Sequence, residues 1–262
     1  MGCPNKSHTY QETVVRSIPK KHRQTLQYFY SCSQFLVTYP AFFMVDPGDI
    51  LCRRFEVIKK INEGCFGEIF TAHDLESDSI VAIKTPKSTG SGFRKEFETL
   101  KVLEPYQFSP TPLYFGRITS TAFFAMTMEG KNLKELAGTK GFDALTVPLI
   151  LFHSLSALKF LHDLLMSHGD ISLTNICVPV SPLKARLIFI DFSESDYLDE
   201  ECARRDLDRL VTSVALVAKG HDIITELQLI LDTKADARPD DLMQFISTYP
   251  EFNPLDRFQW ET

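Results

Sequence analysis

The sequence lacks the features of a secreted, disulfide-bonded or membrane-spanning protein. Its six cysteines include no C-x-x-C pair and no neighbouring His at metal-ligand spacing. Free thiols in a reducing compartment are therefore favoured over a disulfide framework or a zinc site. No apolar run approaches the roughly 20 residues that span a bilayer, and no apolar signal-peptide core follows Met1. We expect a cytoplasmic or nuclear protein with no transmembrane segment.

Basic charge is also scarce. Lys and Arg total 28 against 34 Asp and Glu, which gives a formal net charge of −6. An acidic chain is a poor prior for a nucleic-acid binder, so we expect no nucleic-acid partner. Hydrophobic residues make up 44% and charged residues 24% of the 262 residues, as in globular proteins. The length allows one compact domain or a two-lobed unit, at roughly 100–200 residues per domain.

The chain divides into an extension, a β-rich part and a helical part. Residues 1–45 form the predicted N-terminal extension, and the turn signal Asp46-Pro47-Gly48-Asp49 follows it. The patterns of the β-rich part predict strands at 55–61, 68–72 and 80–84, a helix at 93–103, and a β-rich apolar stretch at 118–128. Those of the helical part predict helices at 147–164 and near 206–218, 222–231 and 239–247, with short strands around 176–178 and 187–190. We predict an α+β fold.

A glycine-containing hairpin precedes a lysine at the end of an apolar strand. Gly64 and Gly67 lie between the first two strands, where glycine lets backbone N–H groups approach a phosphate, although two glycines in a hairpin are more often only a turn. Lys84 ends the strand Val81-Ala82-Ile83-Lys84, and burying it would require an anionic partner. Glu96, on the following helix, could be that partner.

Further along, the chain offers hard oxygen ligands. Asp170 and Asn175 are five residues apart in His168-Gly169-Asp170-Ile171-Ser172-Leu173-Thr174-Asn175, and Asp191 follows an apolar strand. Mg²⁺ typically binds through one or two carboxylates together with substrate phosphates. Each residue alone could equally be an ordinary loop residue.

The order of these pieces resembles the signature set of the protein kinase superfamily, over roughly residues 49–247. Fragments also resemble particular groups within it: Pro47 to Phe55 is similar to the SR-protein kinases, and Met128 to Leu133 and Arg204 to Leu210 to the casein kinase I group. The resemblance implies a two-lobed fold over 46–250. Its small β-rich N-lobe would cover about 46–127, and its helical C-lobe about 131–250.

The resemblance also implies a role for each matched residue. Asp170 would accept the hydroxyl proton, while Lys84, oriented by Glu96, would hold the ATP phosphates. Asn175 and Asp191 would hold Mg²⁺. Asp206 would hold the backbone around Asp170 in place. The residues implied to surround the nucleotide, besides Lys84, are Ile61, Gly64, Gly67, Ile69, Ala82, Met128 and Cys177.

The chain also departs from the family pattern. Gly169 replaces an Arg that pairs with an activation-segment phosphate, Ser172 replaces a Lys that touches the transferring phosphate, and Ser193 replaces the Gly of D-F-G. Asp206 lies only 15 positions after Asp191, so the activation segment is expected to be shortened.

The resemblance implies ATP- and Mg²⁺-dependent phosphoryl transfer to protein Ser or Thr by a monomer, with an unidentified protein substrate or partner. Two alternatives remain open at this stage. The departures suggest a pseudokinase or ATP-binding regulatory module, and the H-G-D motif with the short segment suggests a small-molecule kinase.

Overall fold

The computed structural model describes residues 44–64, 67–87, 92–118 and 121–261. The predicted N-terminal extension therefore lies, up to residue 43, outside the described residues. The turn predicted at Asp46–Asp49 is confirmed, because the Asp49 amide donates to the Asp46 carbonyl and Gly48 has a φ of +95°.

The first half of the described chain forms a six-stranded antiparallel sheet with the order β1-β2-β3-β4-β6-β5. Its strands are β1 (Ile50–Leu51), β2 (Phe55–Glu63), β3 (Gly67–Asp74), β4 (Ser79–Pro86), β5 (Pro112–Ile118) and β6 (Thr121–Thr127). The three predicted strands are confirmed and extended. The stretch predicted at 118–128 is β6, and the whole of β5 before it was missed.

Strand alternation gives this sheet two different faces. Phe70, Val81, Ile83 and Phe123 are buried on one face, in a cluster that also includes Phe55. In the register, Lys84 lies opposite both Ile69 and Phe124, while Ala82 lies opposite Met126. Because side chains alternate along a strand, these residues share the other face.

Helices dominate the second half of the described chain. The described residues form α1 (Gly92–Leu103), which lies between β4 and β5, and then α2 (Leu133–Ala137), α3 (Thr146–Asp163), α4 (Glu200–Ala215), α5 (Asp222–Thr233) and α6 (Pro239–Ser247). One face of α3 is fully buried, and it carries Leu151, Leu155, Leu158 and Leu161. They lie in a large core cluster with residues of α4, α5 and α6 and with Phe97 and Leu100 of α1.

Two short strand pairs complete the fold. These are β7 (Met166–Ser167) with β10 (Asp196–Tyr197), and β8 (Ile176–Cys177) with β9 (Ile188–Phe189). The sequence predicted the two strands of the second pair, though not their pairing, and neither strand of the first. The fold is α+β, as predicted, and no helix within the described ranges is long and apolar enough to cross a membrane.

Candidate active site

A buried cluster of opposite charges joins β4, α1 and the chain after β9. Lys84 Nζ lies 2.7 Å from both carboxylate oxygens of Glu96 and 2.8 Å from Asp191 Oδ1. Lys84 and Glu96 are only 3% and 2% exposed. The pairing of Lys84 with Glu96 that the sequence suggested is therefore present, and the structure adds Asp191 to it.

Burial and ion pairing shift the pKa values of these three residues in opposite directions. Burial by itself would lower the pKa of Lys84, but the adjacent carboxylates of Glu96 and Asp191 raise it above its ordinary value. Burial raises the pKa of Glu96 to about 7, against the attraction of Lys84. Burial by itself would raise the pKa of Asp191, yet the Lys84 ammonium holds it below the ordinary value. Asp191 is therefore ionised at neutral pH.

Asp170 and Asn175 are joined directly. Asn175 Nδ2 donates to Asp170 Oδ2 at 3.0 Å and to the Asp170 backbone carbonyl at 2.8 Å. The Asp170 side chain is nevertheless 47% exposed. It is thus a carboxylate in a fixed orientation that an incoming group could still reach.

His168 supports this loop from inside the core. Its ring lies between Phe189 and Phe192, with centroid distances of 5.2 and 4.9 Å. Burial lowers its pKa, so the imidazole is neutral at pH 7. Nδ1 accepts from the Asp170 amide, and Nε2 therefore carries the proton and donates to the Ile190 carbonyl at 3.2 Å. His168 is fully buried and therefore has a structural role in this loop.

Asp206 anchors the same loop from α4. Its carboxylate accepts hydrogen bonds from the amides of His168 and Gly169, at 2.8 and 3.0 Å, and lies 3.2 Å from His162 Nε2. Gly169 has a φ of +79°, and a Cβ there would lie 2.3 Å from the Glu194 carbonyl oxygen. No side chain fits at 169 without moving the backbone after Asp191.

Strand pairing accounts for one of the two glycines in the hairpin without any phosphate ligand. A Cβ on Gly67 would lie 2.4 Å from the Thr85 carbonyl oxygen, so the pairing of β3 with β4 by itself explains this glycine. The Gly64 amide donates to the Gly67 carbonyl at 2.9 Å. The intervening residues 65 and 66 lie outside the described residues.

The remaining residues implied to surround a nucleotide occupy three places. Ile69 and Ala82 share a sheet face with Lys84, and Ile61 is a partly exposed residue of β2. Met128 begins the segment that leaves β6. Cys177 is buried in β8, where burial raises its thiol pKa to about 12, so it is an inert apolar side chain rather than a nucleophile.

The oxygen atoms of Asp191 and Asn175 suit a divalent cation whose remaining ligands come from another molecule. Asp191 Oδ1 already accepts from Lys84 and from Ser193 Oγ, both at 2.8 Å. Asn175 directs its amide nitrogen to Asp170, which leaves its amide oxygen available as a ligand. The described residues contain no cluster of three His, Cys, Asp or Glu side chains suited to a metal. One carboxylate and one amide oxygen fit Mg²⁺ held partly by phosphates.

The sequence reasoning missed two cations. Lys184 Nζ contacts the Ser109 carbonyl, Thr127 Oγ1 and Glu129 Oε1. It thereby connects the segment after β6 with the β8–β9 connection. Arg209 of α4 donates to the Gly169 carbonyl and lies 3.4 Å from Asp170 Oδ1. No local pattern could find either residue, because their partners lie 39 to 75 positions away in the chain.

Comparisons with known proteins agree with the geometry. The chain is 30% identical over 151 residues to a probable serine/threonine-protein kinase of Dictyostelium discoideum, a match covering 55% of this chain and 30% of that protein. It is 28% identical over 149 residues to casein kinase I homolog 2 of Schizosaccharomyces pombe, covering 55% and 34% of the two chains. It is 26% identical over 189 residues to casein kinase I homolog 1 of Saccharomyces cerevisiae, covering 70% and 35%.

The chain is protein kinase-like. The resemblance carried by the sequence motifs is thus confirmed at the level of the superfamily, and the α+β fold is compatible with it. The matches span about a third of the length of these three relatives. No family model matches the chain.

Proposed function

We propose that this protein kinase-like chain transfers the terminal phosphoryl group of ATP to a Ser or Thr hydroxyl of a protein, with Mg²⁺. The observation that carries the proposal is the convergence on Lys84, whose ammonium contacts Glu96 of α1 and Asp191 after β9. A buried lysine held by two carboxylates, beside a carboxylate and an amide suited to Mg²⁺, matches the chemistry of phosphate binding. The kinase names of the relatives support the same reaction class.

The contacts support the following roles. Lys84 would bind the phosphates, and Glu96 would keep its ammonium in position. Asp191 and Asn175 would hold Mg²⁺, which would neutralise charge on the phosphate oxygens. Asp170 accepts the proton of the acceptor hydroxyl as that oxygen bonds to phosphorus, while the bond from phosphorus to the bridging oxygen breaks and ADP leaves.

We also propose that the sheet-rich and helical parts are the two lobes of a kinase-like domain over residues 46–250. The boundary falls at the segment after β6, close to 127–131. Nucleotide would bind between the parts, on the sheet face that Ile69, Ala82 and Lys84 share, together with Ile61, the glycine hairpin, Met128 and Cys177. In this proposal the eight residues 192–199, between Asp191 and α4, are a shortened activation segment.

The test is transfer of labelled phosphate from ATP to a panel of proteins, comparing the wild type with Asp170→Asn. Asn keeps the size of the side chain but cannot accept a proton as a carboxylate does. We expect label on Ser or Thr in the wild type, at least 100-fold less transfer in Asp170→Asn, which is the lower end of what a general base contributes, and none with EDTA. Equal transfer by both proteins would contradict the proposal.

A regulatory, non-catalytic nucleotide-binding module is the second candidate. It is favoured by Ser172, which provides no cation for the transferring phosphate, and by the short segment at 192–199. Binding of Mg²⁺ and ATP without transfer to protein or small-molecule hydroxyls would establish this candidate. Transfer only to a small molecule would instead identify a small-molecule kinase.

A further inference from the structure

Arg209 brings a guanidinium to the residue pair Gly169–Asp170 from a different element. It lies on α4, one helical turn after Asp206, so both side chains face the same loop. Its Nη1 donates to the Gly169 carbonyl and lies 3.4 Å from Asp170 Oδ1. Asp206 accepts hydrogen bonds from the backbone amides of this loop. Arg209 instead contacts a backbone carbonyl and a carboxylate.

The Asp170 carboxylate is therefore held from two sides. Asn175 donates to Oδ2, and Arg209 lies against Oδ1. The two partners belong to different parts of the fold: Asn175 lies in the same loop as Asp170, and Arg209 lies on α4. Two contacts on different oxygens restrict rotation of the carboxylate about its terminal bond more than the Asn175 contact does alone.

The backbone explains why the cation comes from α4 rather than from position 169. Gly169 cannot carry a side chain, because its Cβ would collide with the Glu194 carbonyl. Ser172 carries no charge. Within the described residues, Arg209 is the only Lys or Arg whose side chain contacts the Asp170 carboxylate.

We infer that Arg209 is a positioning residue, which fixes the Asp170 carboxylate for the acceptor hydroxyl and supplies a cation beside it. This inference rests on the proposed function. Arg209 remains 42% exposed and the Asp170 side chain 47%, so solvent reaches both partners of this contact. Its contribution should appear in turnover and not in nucleotide binding, because its contacts are with Asp170 and Gly169 rather than with Lys84 or Asp191.

The experiment compares Arg209→Ala, Arg209→Lys and Arg205→Ala with the wild type. Arg205 is a matched control, since it lies one turn earlier on α4, is 44% exposed and pairs with Glu201 instead of Asp170. The readouts are kcat, KM for ATP, and amide hydrogen exchange of residues 168–175.

For Arg209→Ala we expect faster exchange at 168–175 and a kcat reduced at least 10-fold, with KM for ATP within about 2-fold of the wild type. Arg209→Lys should recover part of kcat, because a lysine retains the charge but not the planar fork. Arg205→Ala should match the wild type in all three readouts.

Three results would overturn the inference. Unchanged exchange at 168–175 in Arg209→Ala would show that Arg209 does not hold the loop, whether or not the wild type is active. Faster exchange with an unchanged kcat would make the contact merely structural. If the wild type transfers no phosphate at all, the proposed function fails first and the positioning role fails with it, whereas an active wild type confines the failure to Arg209.

Discussion

The position of the Asp170 loop depends on individual buried polar residues beneath it. Asp206 is fully buried, and its carboxylate satisfies the amides of His168 and Gly169 as well as His162. Burial opposes its ionisation, but these donors outweigh burial and hold the pKa of Asp206 below its ordinary value. One carboxylate thus fixes both residues that precede Asp170.

Replacing Asp206 with Asn should lower the free energy of unfolding by about 2–4 kcal/mol, because a buried amide donor is left without a full acceptor. Urea denaturation at pH 7 measures this change. Glu201→Gln is the matched control: it removes the same charge from an exposed position on the same helix, and should change stability by no more than about 0.5 kcal/mol. A loss in Asp206→Asn no larger than the control's would contradict this account of the loop.

The same substitution should also reveal a pH dependence. Because the folded pKa of Asp206 is depressed, its ionisation stabilises the fold fully above the unfolded pKa of roughly 3.9 and progressively less as pH falls through the folded value. The stability difference between the wild type and Asp206→Asn should therefore be constant from pH 5 to 7 and narrow below about pH 4. A difference that grows at acid pH would mean that the sign is wrong.

At the scale of the elements, a polar network joins the segment after β6 to the loop between β8 and β9, and local sequence patterns do not predict it. Lys184 and Glu129 are both nearly buried, and Thr127 bonds to each of them. Glu129 also accepts from the Val180 amide at 3.3 Å. This network ties the end of the sheet to a strand pair of the helical part.

Lys184→Met should destabilise the protein by about 3–5 kcal/mol, because Glu129 would remain buried without its counter-charge. Adding Glu129→Gln should restore much of that loss, since an amide is far less costly to bury. Lys159→Met, which removes a more exposed lysine paired with Asp163 and Asp240, should cost no more than about 1 kcal/mol. A double variant as unstable as the single one in chemical denaturation would show that Glu129 and Lys184 are not coupled.

Prediction from the sequence succeeded where the determining signal is local. The strand ending at Lys84, the helix carrying Glu96 and the spacing of Asp170 and Asn175 all lie within short windows, and the structure joins each pair. The contact of Lys84 with Asp191 spans 107 positions and depends on packing of β9 against the rest of the fold. Sequence order alone does not give that packing.

The start of helix α4 and the whole of helix α2 were missed although their signals were present. Helix α4 begins at Glu200 rather than near 206, because Asp199 caps it by accepting from the Cys202 amide. Asp followed by two Glu is typical of a helix start, so the signal for the earlier beginning is present in the sequence. Helix α2 has a capping box, with reciprocal bonds between Asn132 and Glu135. The β7–β10 pair had no comparable signal, since each strand has only two residues.

For the whole molecule, the short path from Asp191 to α4 bears on which acceptors the proposed phosphoryl transfer would favour. Helix α4 begins three residues after β10, and residues 192–199 are all that separates Asp191 from it. Such a segment offers little surface against which an extended peptide could lie. Contacts elsewhere on a protein acceptor could replace it, because proximity supplied by docking raises the effective concentration of the hydroxyl.

We therefore expect short Ser- or Thr-containing peptides to be phosphorylated far more slowly than intact protein acceptors, with the same enzyme and ATP concentration. The measurement is kcat/KM for a peptide and for the protein from which it is taken. The same measurement on a variant that starts at residue 46 tests whether residues 1–45 contribute to the preference for the intact protein. Peptide turnover at ordinary kinase rates, about 1–100 per second, would contradict this interpretation of the short segment.

The central claim is that Lys84, Asp191 and Asn175 form a site for ATP with Mg²⁺, and thermal unfolding tests it most directly. A ligand at 100 times its dissociation constant adds about 2.7 kcal/mol of stability, which raises the melting temperature by several degrees in a protein of this size. We predict such a rise with millimolar ATP and Mg²⁺, a smaller one with EDTA, and a smaller one in Asp191→Asn. An unchanged melting temperature of the folded wild type at millimolar ATP and Mg²⁺ would contradict the claim.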